Sequence, residues 1–209
     1  MIGIIDYGMG NLGSVTNACE FLSLDARIIT RTEEMRACEA IILPGVGAFR
    51  DCMEHLAEHK FDDEVRSWIA SKKPFLGICL GLQVLFERSE ESPDVLGLGV
   101  FQGTVRRFSD AEQKVPQIGW NRVSHTAEAC PLFREVPEDS FFYFVHSYYV
   151  DAADESLVAG TTSYGIDYTS MIWKENVMAV QFHPEKSQRL GLRMLQNFAD
   201  LVARTEVSS

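Results

Sequence analysis

The stretch Pro74-Phe75-Leu76-Gly77-Ile78-Cys79-Leu80-Gly81-Leu82-Gln83 is an apolar run that ends on Gly-x-Cys-x-Gly and predicts a strand turning at once into an amphipathic helix. In the serine version of this pattern a sharp strand-to-helix turn lifts the nucleophile above the sheet, and the flanking glycines stand where side chains would collide. Gly77 and Gly81 fill those places, so Cys79 reads as a nucleophile. At a helix start the dipole favours a thiolate, and the next backbone N–H, that of Leu80, faces any oxyanion formed there. The competing reading is a buried Cys acting as a small hydrophobe, against which the glycine pair argues.

Around this stretch the chain reads as one α/β domain, an open, mostly parallel central sheet flanked by helices with an additional antiparallel β layer. Short apolar runs at Ile2–Asp6, Ala26–Thr30 and Ala40–Leu43 predict strands, with a helical pattern (Val15, Ala18, Cys19, Leu22) after the first of them. Two more helices carry Cys52, Met53 and Leu56, then Phe61, Val65, Trp68 and Ile69, and lead into the Cys79 strand. Beyond it, strands are expected at 96–100, 103–108, 115–120, 141–150, 157–162, 171–174 and 177–182, with a final helix from about Gln188. The expected domain is 1–204, with a frayed tail at 205–209.

Composition narrows the classes of function. With 46% hydrophobic and 23% charged residues and no run long enough to span a bilayer, membrane insertion is not expected. The first residues resemble the opening strand rather than a leader, which places the protein in the cytosol. Five cysteines without a Cys-x-x-Cys pair fit reduced thiols rather than a disulfide framework or a zinc site. A net charge of −11 without a basic cluster argues against nucleic acid and leaves a small molecule or a protein as partner.

A cysteine nucleophile needs a base and a group that orients the base. Of the five histidines, His55 and His59 stand at i, i+4 on an acidic helix; the spacing suits a metal, but with no third ligand indicated a solvated face is expected. His125 falls in a polar loop, and His146 ends an aromatic run, either packed or beside substrate. His183 follows the strand pattern 177–182 and is itself followed by Pro184 and Glu185. In extended backbone His183 and Glu185 face the same way, so the carboxylate can hold the imidazole tautomer. A second oxyanion donor is sought in Leu43-Pro44-Gly45-Val46-Gly47-Ala48-Phe49, at the exit of a parallel strand; a plain strand-to-helix turn reads equally well there.

Together with Asp6-Tyr7-Gly8-Met9-Gly10-Asn11-Leu12, Gly119-Trp120-Asn121, Phe144-Val145-His146-Ser147-Tyr148 and Gln181-Phe182-His183-Pro184-Glu185-Lys186-Ser187, these motifs make the chain resemble the class I, triad-type glutamine amidotransferases over essentially its whole length. Within them it is similar to the glutaminase subunits of the imidazole glycerol phosphate synthases of histidine biosynthesis. Leu82 stands where that group often has Met, a volume-conserving exchange. The resemblance implies that Cys79 attacks the carboxamide of L-glutamine to form a glutamyl thioester, that His183 shuttles the proton and that Glu185 orients it. It implies Leu80 and the Gly45–Val46 peptide as oxyanion donors, Gly47, Gln83, Ser147 and Tyr148 as glutamine contacts, and no cofactor or metal. It also implies a heterodimer with a cyclase subunit built on a (β/α)₈ barrel, with Asn11, Tyr143 and Lys186 near the ammonia exit. The alternatives are a free-standing glutaminase or γ-glutamyl hydrolase with the same triad, and a non-catalytic regulatory domain of the same fold.

Overall fold

A computed structural model describes residues 1–111, 113–125 and 130–207. In chain order the first half contains β1 (Ile2–Ile5), α1 (Leu12–Phe21), β2 (Ala26–Ile29), β3 (Ala40–Gly45), α2 (Phe49–Glu58), α3 (Phe61–Ala70), β4 (Phe75–Cys79) and α4 (Leu80–Gln83). The second half contains β5 (Phe86–Ser89), β6 (Phe101–Arg107), β7 (Gln117–His125), β8 (Ser140–His146), β9 (Tyr148–Ala152), β10 (Val158–Tyr164), β11 (Ile166–Lys174), β12 (Val177–Val180) and α5 (Gln188–Val207).

Among the described residues these strands form one sheet, with the main order β2-β1-β3-β4-β12-β11-β10-β7-β8. The strands β2, β1, β3, β4 and β12 run parallel, and from β12 onward the pairing turns antiparallel. The antiparallel part therefore extends the parallel sheet through β11 rather than forming a detached layer.

The parallel strands read as unbroken apolar runs because both faces are covered. Side chains alternate across a strand: Ala40, Ile42, Leu76, Ile78, Met178 and Val180 enter one core with α1 and α5, whereas Ile41, Leu43, Phe75, Val177 and Ala179 enter the other with α2 and α3. This places the carboxyl ends of β3, β4 and β12 side by side at the centre of the sheet, with Gly45 opposite Cys79 and Val180 opposite Ile78.

Several local expectations are corrected. The elbow helix is a single turn, Leu80–Gln83, buried on every side rather than amphipathic. The run from Leu80 to Phe86 has no polar face to offer solvent, and β5, not anticipated from the sequence, begins almost at once. A one-turn helix aligns few peptide dipoles, so the expected dipole effect on Cys79 shrinks to that of its first free N–H groups. Residues 96–100 form no strand beyond an isolated bridge between Arg88 and Leu96. The N–H groups of Gly97, Leu98 and Val100 bond back to Glu87, Val84 and Leu85, and a Cβ at Gly97 would lie 2.0 Å from the Phe86 carbonyl oxygen, so the segment is a loop folded back against residues 84–87. The run 141–150 breaks at Ser147 into β8 and β9. Helix α5 continues to Val207 because no Gly or Pro interrupts 204–207, three residues into the tail expected to fray; 208–209 lie outside the described residues. Among the described residues no helix is long and apolar enough to cross a membrane.

Candidate active site

Cys79 ends β4 with φ 55° and ψ −106°, left-handed backbone that costs a non-glycine residue about 1–3 kcal/mol. The glycines around it are compulsory: a Cβ at Gly77 would lie 2.5 Å from the Gly81 carbonyl oxygen, and one at Gly81 only 2.1 Å from that of Leu43. The turn is thus closed against β3 with no room for side chains, and it holds the thiol at the mouth of a pocket of about 390 Å³.

His183 reaches the same pocket from the neighbouring strand. Its N–H donates to the Tyr143 carbonyl (2.9 Å), and its own carbonyl accepts from the Ser187 hydroxyl (2.6 Å). Nδ1 meets Glu185 Oε1 at 2.8 Å, with both side chains almost wholly inaccessible. The means differ from the expected extended His-x-Glu: β12 stops at Val180, and Pro184–Lys186 is a 3₁₀ turn started by the fixed φ of proline, which folds Glu185 back under the ring.

Among the described residues Nε2 of His183 meets no hydrogen-bond criterion, and His183 lines the pocket with Cys79. Burial alone would lower the proton affinity of His183, but the Cys79 sulfur and the Glu185 carboxylate outweigh it and raise the pKa to about 10. The ring is therefore an imidazolium at neutral pH. Burial pushes the other thiols up, Cys19 to about 11 and Cys52 and Cys130 to about 12, so these remain protonated spectators, and Cys38 moves the same way.

Val46, Gly47, Leu80, Gln83, Ser147 and Tyr148 line the same pocket. Gly45 stands at the end of β3, where a Cβ would lie 2.7 Å from the Leu80 Cβ, and Gly47 has φ +100°. Tyr143 and Lys186 flank His183, Tyr143 through its carbonyl and Lys186 by donating its N–H to the His183 carbonyl (3.1 Å). Asn11 precedes α1, which packs beside the 3₁₀ turn.

Sequence reasoning missed three groups. Gln181, fully buried, donates to Cys79 Sγ at 3.6 Å while its Oε1 accepts from Gln83 Nε2 (3.0 Å), which also donates to the Tyr148 carbonyl (3.1 Å). Its place at the exit of a strand beside the elbow was the available signal. Glu91 brings a carboxylate to the pocket and accepts the Phe49 N–H (2.8 Å), and Pro116 completes a wall; neither is flagged by local pattern because each arrives on a distant loop. His146, left open by the sequence, lies in the wall between the Tyr148 carbonyl (Nδ1, 2.7 Å) and the Tyr168 hydroxyl (Nε2, 3.3 Å). Burial lowers its pKa to about 4, and it stays neutral. His125 is corrected: it ends β7, buried and stacked on Phe133 at 3.7 Å, instead of lying in a polar loop.

A strained thiol above the carboxyl end of a parallel sheet, beside a histidine held by a carboxylate, is an arrangement suited to acyl transfer from an amide. Residues 4–201 match the profile of the family described as glutamine amidotransferase class-I, and the chain belongs to that family. Among curated relatives it is 49% identical to the imidazole glycerol phosphate synthase subunit HisH of Methanocaldococcus jannaschii, over 97% of this chain and 100% of that one. It is 46% identical to the subunit of the same name from Desulfitobacterium hafniense, over 97% of this chain and 95% of the other. Among solved structures, PurLQS from Thermotoga maritima has the same fold, with a TM-score of 0.77 at 17% identity over 96% of this chain and 98% of that one.

Proposed function

We propose that residues 1–204 act as one domain, the glutaminase subunit of an imidazole glycerol phosphate synthase of the cytosol, which hydrolyses L-glutamine and passes the ammonia to a separate cyclase subunit built on a (β/α)₈ barrel. The observation that carries this reading is that Cys79 and His183 line one pocket, with Glu185 held against His183 Nδ1, in a chain with full-length HisH relatives.

Cys79 Sγ attacks the side-chain carboxamide carbon, and the oxyanion is met by the Leu80 N–H and by the Gly45–Val46 peptide. The His183 imidazolium gives its proton to the departing nitrogen as the C–N bond breaks, leaving a glutamyl thioester and free ammonia. Now neutral, His183 takes a proton from water, which attacks the thioester; glutamate leaves and the thiol is restored. Glu185 keeps the His183 proton on Nδ1 and the working nitrogen, Nε2, toward the pocket. Gln181 steadies the sulfur, and Gly47, Gln83, Ser147 and Tyr148 hold the substrate. The Glu91 carboxylate offers a counter-charge for its α-ammonium group.

Register supports one face of the sheet for the partner. Ile118 and Trp120 on β7 lie opposite Val145 and Tyr143 on β8, while Val123, Phe142 and Phe144 on the alternate positions are buried. Ile118 is 62% exposed, Trp120 46% and Phe141 51%, an apolar face beside Tyr143, whose carbonyl accepts the His183 N–H. Ammonia leaving there into water would be protonated and lose its nucleophilicity, which is why a docked acceptor is needed.

The test is Cys79→Ala in the complex with the cyclase: glutamine-dependent synthesis should vanish while added ammonium salts still support it. Loss of both activities from an assembled complex would refute the division of labour. Flanking glycines let the Gly45–Val46 peptide present either its carbonyl or its N–H, and a missing oxyanion donor costs about 10²–10³ in turnover. The free chain should therefore be a slow glutaminase that the partner accelerates; equal rates would favour a free-standing glutaminase.

A further inference from the structure

Outside the pocket, one cluster of ligating groups has no part in the chemistry above. His55 lies in the last turn of α2, Glu58 ends that helix and His59 follows it, so that the i, i+3 and i+4 spacings put all three on one side. One nitrogen of each imidazole and one Glu58 carboxylate oxygen lie within 4.8 Å of one another. The third ligand that the sequence did not indicate is thus Glu58.

Two observations show that the cluster is prepared for a cation. His55 Nδ1 lies 3.1 Å from the Tyr7 carbonyl, to which it donates; this fixes the tautomer, leaves Nε2 as the free lone pair and supplies the outer-shell contact that orients metal-binding imidazoles. The loop facing the two rings carries Gly8, where a Cβ would lie 3.0 Å from His55 Nδ1 and 3.9 Å from His59 Nε2, so the glycine leaves both rings free of a side chain that would press on them. Among the described residues neither the Glu58 carboxylate nor the His59 ring has a hydrogen-bond or ion-pair partner.

We propose that His55, Glu58 and His59 bind one divalent transition cation of the Zn²⁺ class, through two imidazole nitrogens and one carboxylate oxygen with water completing the shell. Two imidazoles and a carboxylate are the donor set of open zinc sites, whereas Mg²⁺ and Ca²⁺ prefer all-oxygen shells. Bonds of about 2.0–2.1 Å bring tetrahedral ligand atoms to about 3.3 Å apart. Glu58 and His59 are exposed, so rotamer changes suffice to close the present separation. The chain's net charge of −11 favours cation approach.

The experiment is calorimetric titration of Zn²⁺ into the full chain, the His59→Ala variant and the Cys79→Ser variant, with melting curves of each. One ion should bind per chain and raise the melting temperature. His59→Ala should melt at the parent's temperature without metal yet bind at least about 10-fold more weakly, since even outer-shell losses cost 10–100-fold. Cys79→Ser should bind as the parent does. Equal affinity in parent and His59→Ala, absence of binding by the parent, or loss of binding in Cys79→Ser would each overturn the site, the last by moving the ion to the pocket thiol. None of these outcomes depends on the glutaminase reading.

Discussion

His183 and His146 belong to one pocket wall and have opposite proton affinities. His183 is raised to about 10 by Cys79 and Glu185 against the pull of burial, whereas His146, set between a carbonyl and a phenol, is lowered to about 4 by burial and by the charge of His183. The difference between the rings is therefore Glu185 and the sulfur, and it yields a prediction. Glu185→Gln keeps the size but removes the charge that stabilises the imidazolium, so the His183 pKa should fall toward the ordinary value of about 6.5. Glutamine turnover should drop, though less than in Cys79→Ala, and the alkaline limb of its pH profile should move to lower pH. A profile superimposable on the parent's would make Glu185 a bystander.

At the level of elements, the elbow is a close-packing problem solved with glycine. Gly81→Ala would drive a Cβ into the Leu43 carbonyl, at 2.1 Å, so β4 and α4 must separate from β3. Since misplacing a reacting group by about 1 Å costs about 10²-fold, glutaminase activity of the complex should fall at least that far, with a lower melting temperature. Gly13 is the contrast: it lies in α1 without a positive φ, and a Cβ there would meet no heavy atom within 4 Å. Gly13→Ala should therefore stabilise the fold by about 0.4–1 kcal/mol through the unfolded chain. Urea midpoints of the two variants check the pair; matching shifts would mean that the elbow is not rigid.

For the whole molecule the two histidines set opposing pH slopes. His183 binds its proton more tightly folded than unfolded, so its stabilisation is complete below about pH 6.5 and is lost as pH rises toward about 10. His146 must be neutral to stay buried, so the stability it allows is present above about pH 6.5 and is lost as pH falls toward about 4, by up to about 3 kcal/mol. His125, also lowered by burial, adds to the acid limb. Urea midpoints should therefore fall on both sides of about pH 6.5, and His146→Gln should flatten the acid limb. An unchanged acid slope in that variant would show that carboxylates alone set it.

The parallel half of the sheet, the helices on its faces and the elbow were legible because their signals are local: unbroken apolar runs, helical spacing, and a glycine on each side of a cysteine. That Cys79 and the His183-Pro184-Glu185 run each stand at the exit of an apolar strand was legible for the same reason. The geometry that joins His183 to Glu185 was not, since proline converts the expected extended segment into a 3₁₀ turn. The one-turn helix, β5 and the loop at 96–100 depend on what packs around them: Gly81 pinned beneath β3, and Gly97 against the Phe86 carbonyl. Glu91 and Pro116 enter the pocket, and Gln181 reaches the Cys79 sulfur, from separate parts of the chain, and the cluster of His55, Glu58 and His59 gains an orienting contact through His55 from the Tyr7 carbonyl, 48 residues away. The sequence by itself determined the elements of the parallel half and where the thiol stands, because backbone sterics and hydrophobic period act over a few residues; only the tertiary structure decided the short elements after the elbow and which polar groups meet, because these are set by packing and by the register of strands far apart in the chain.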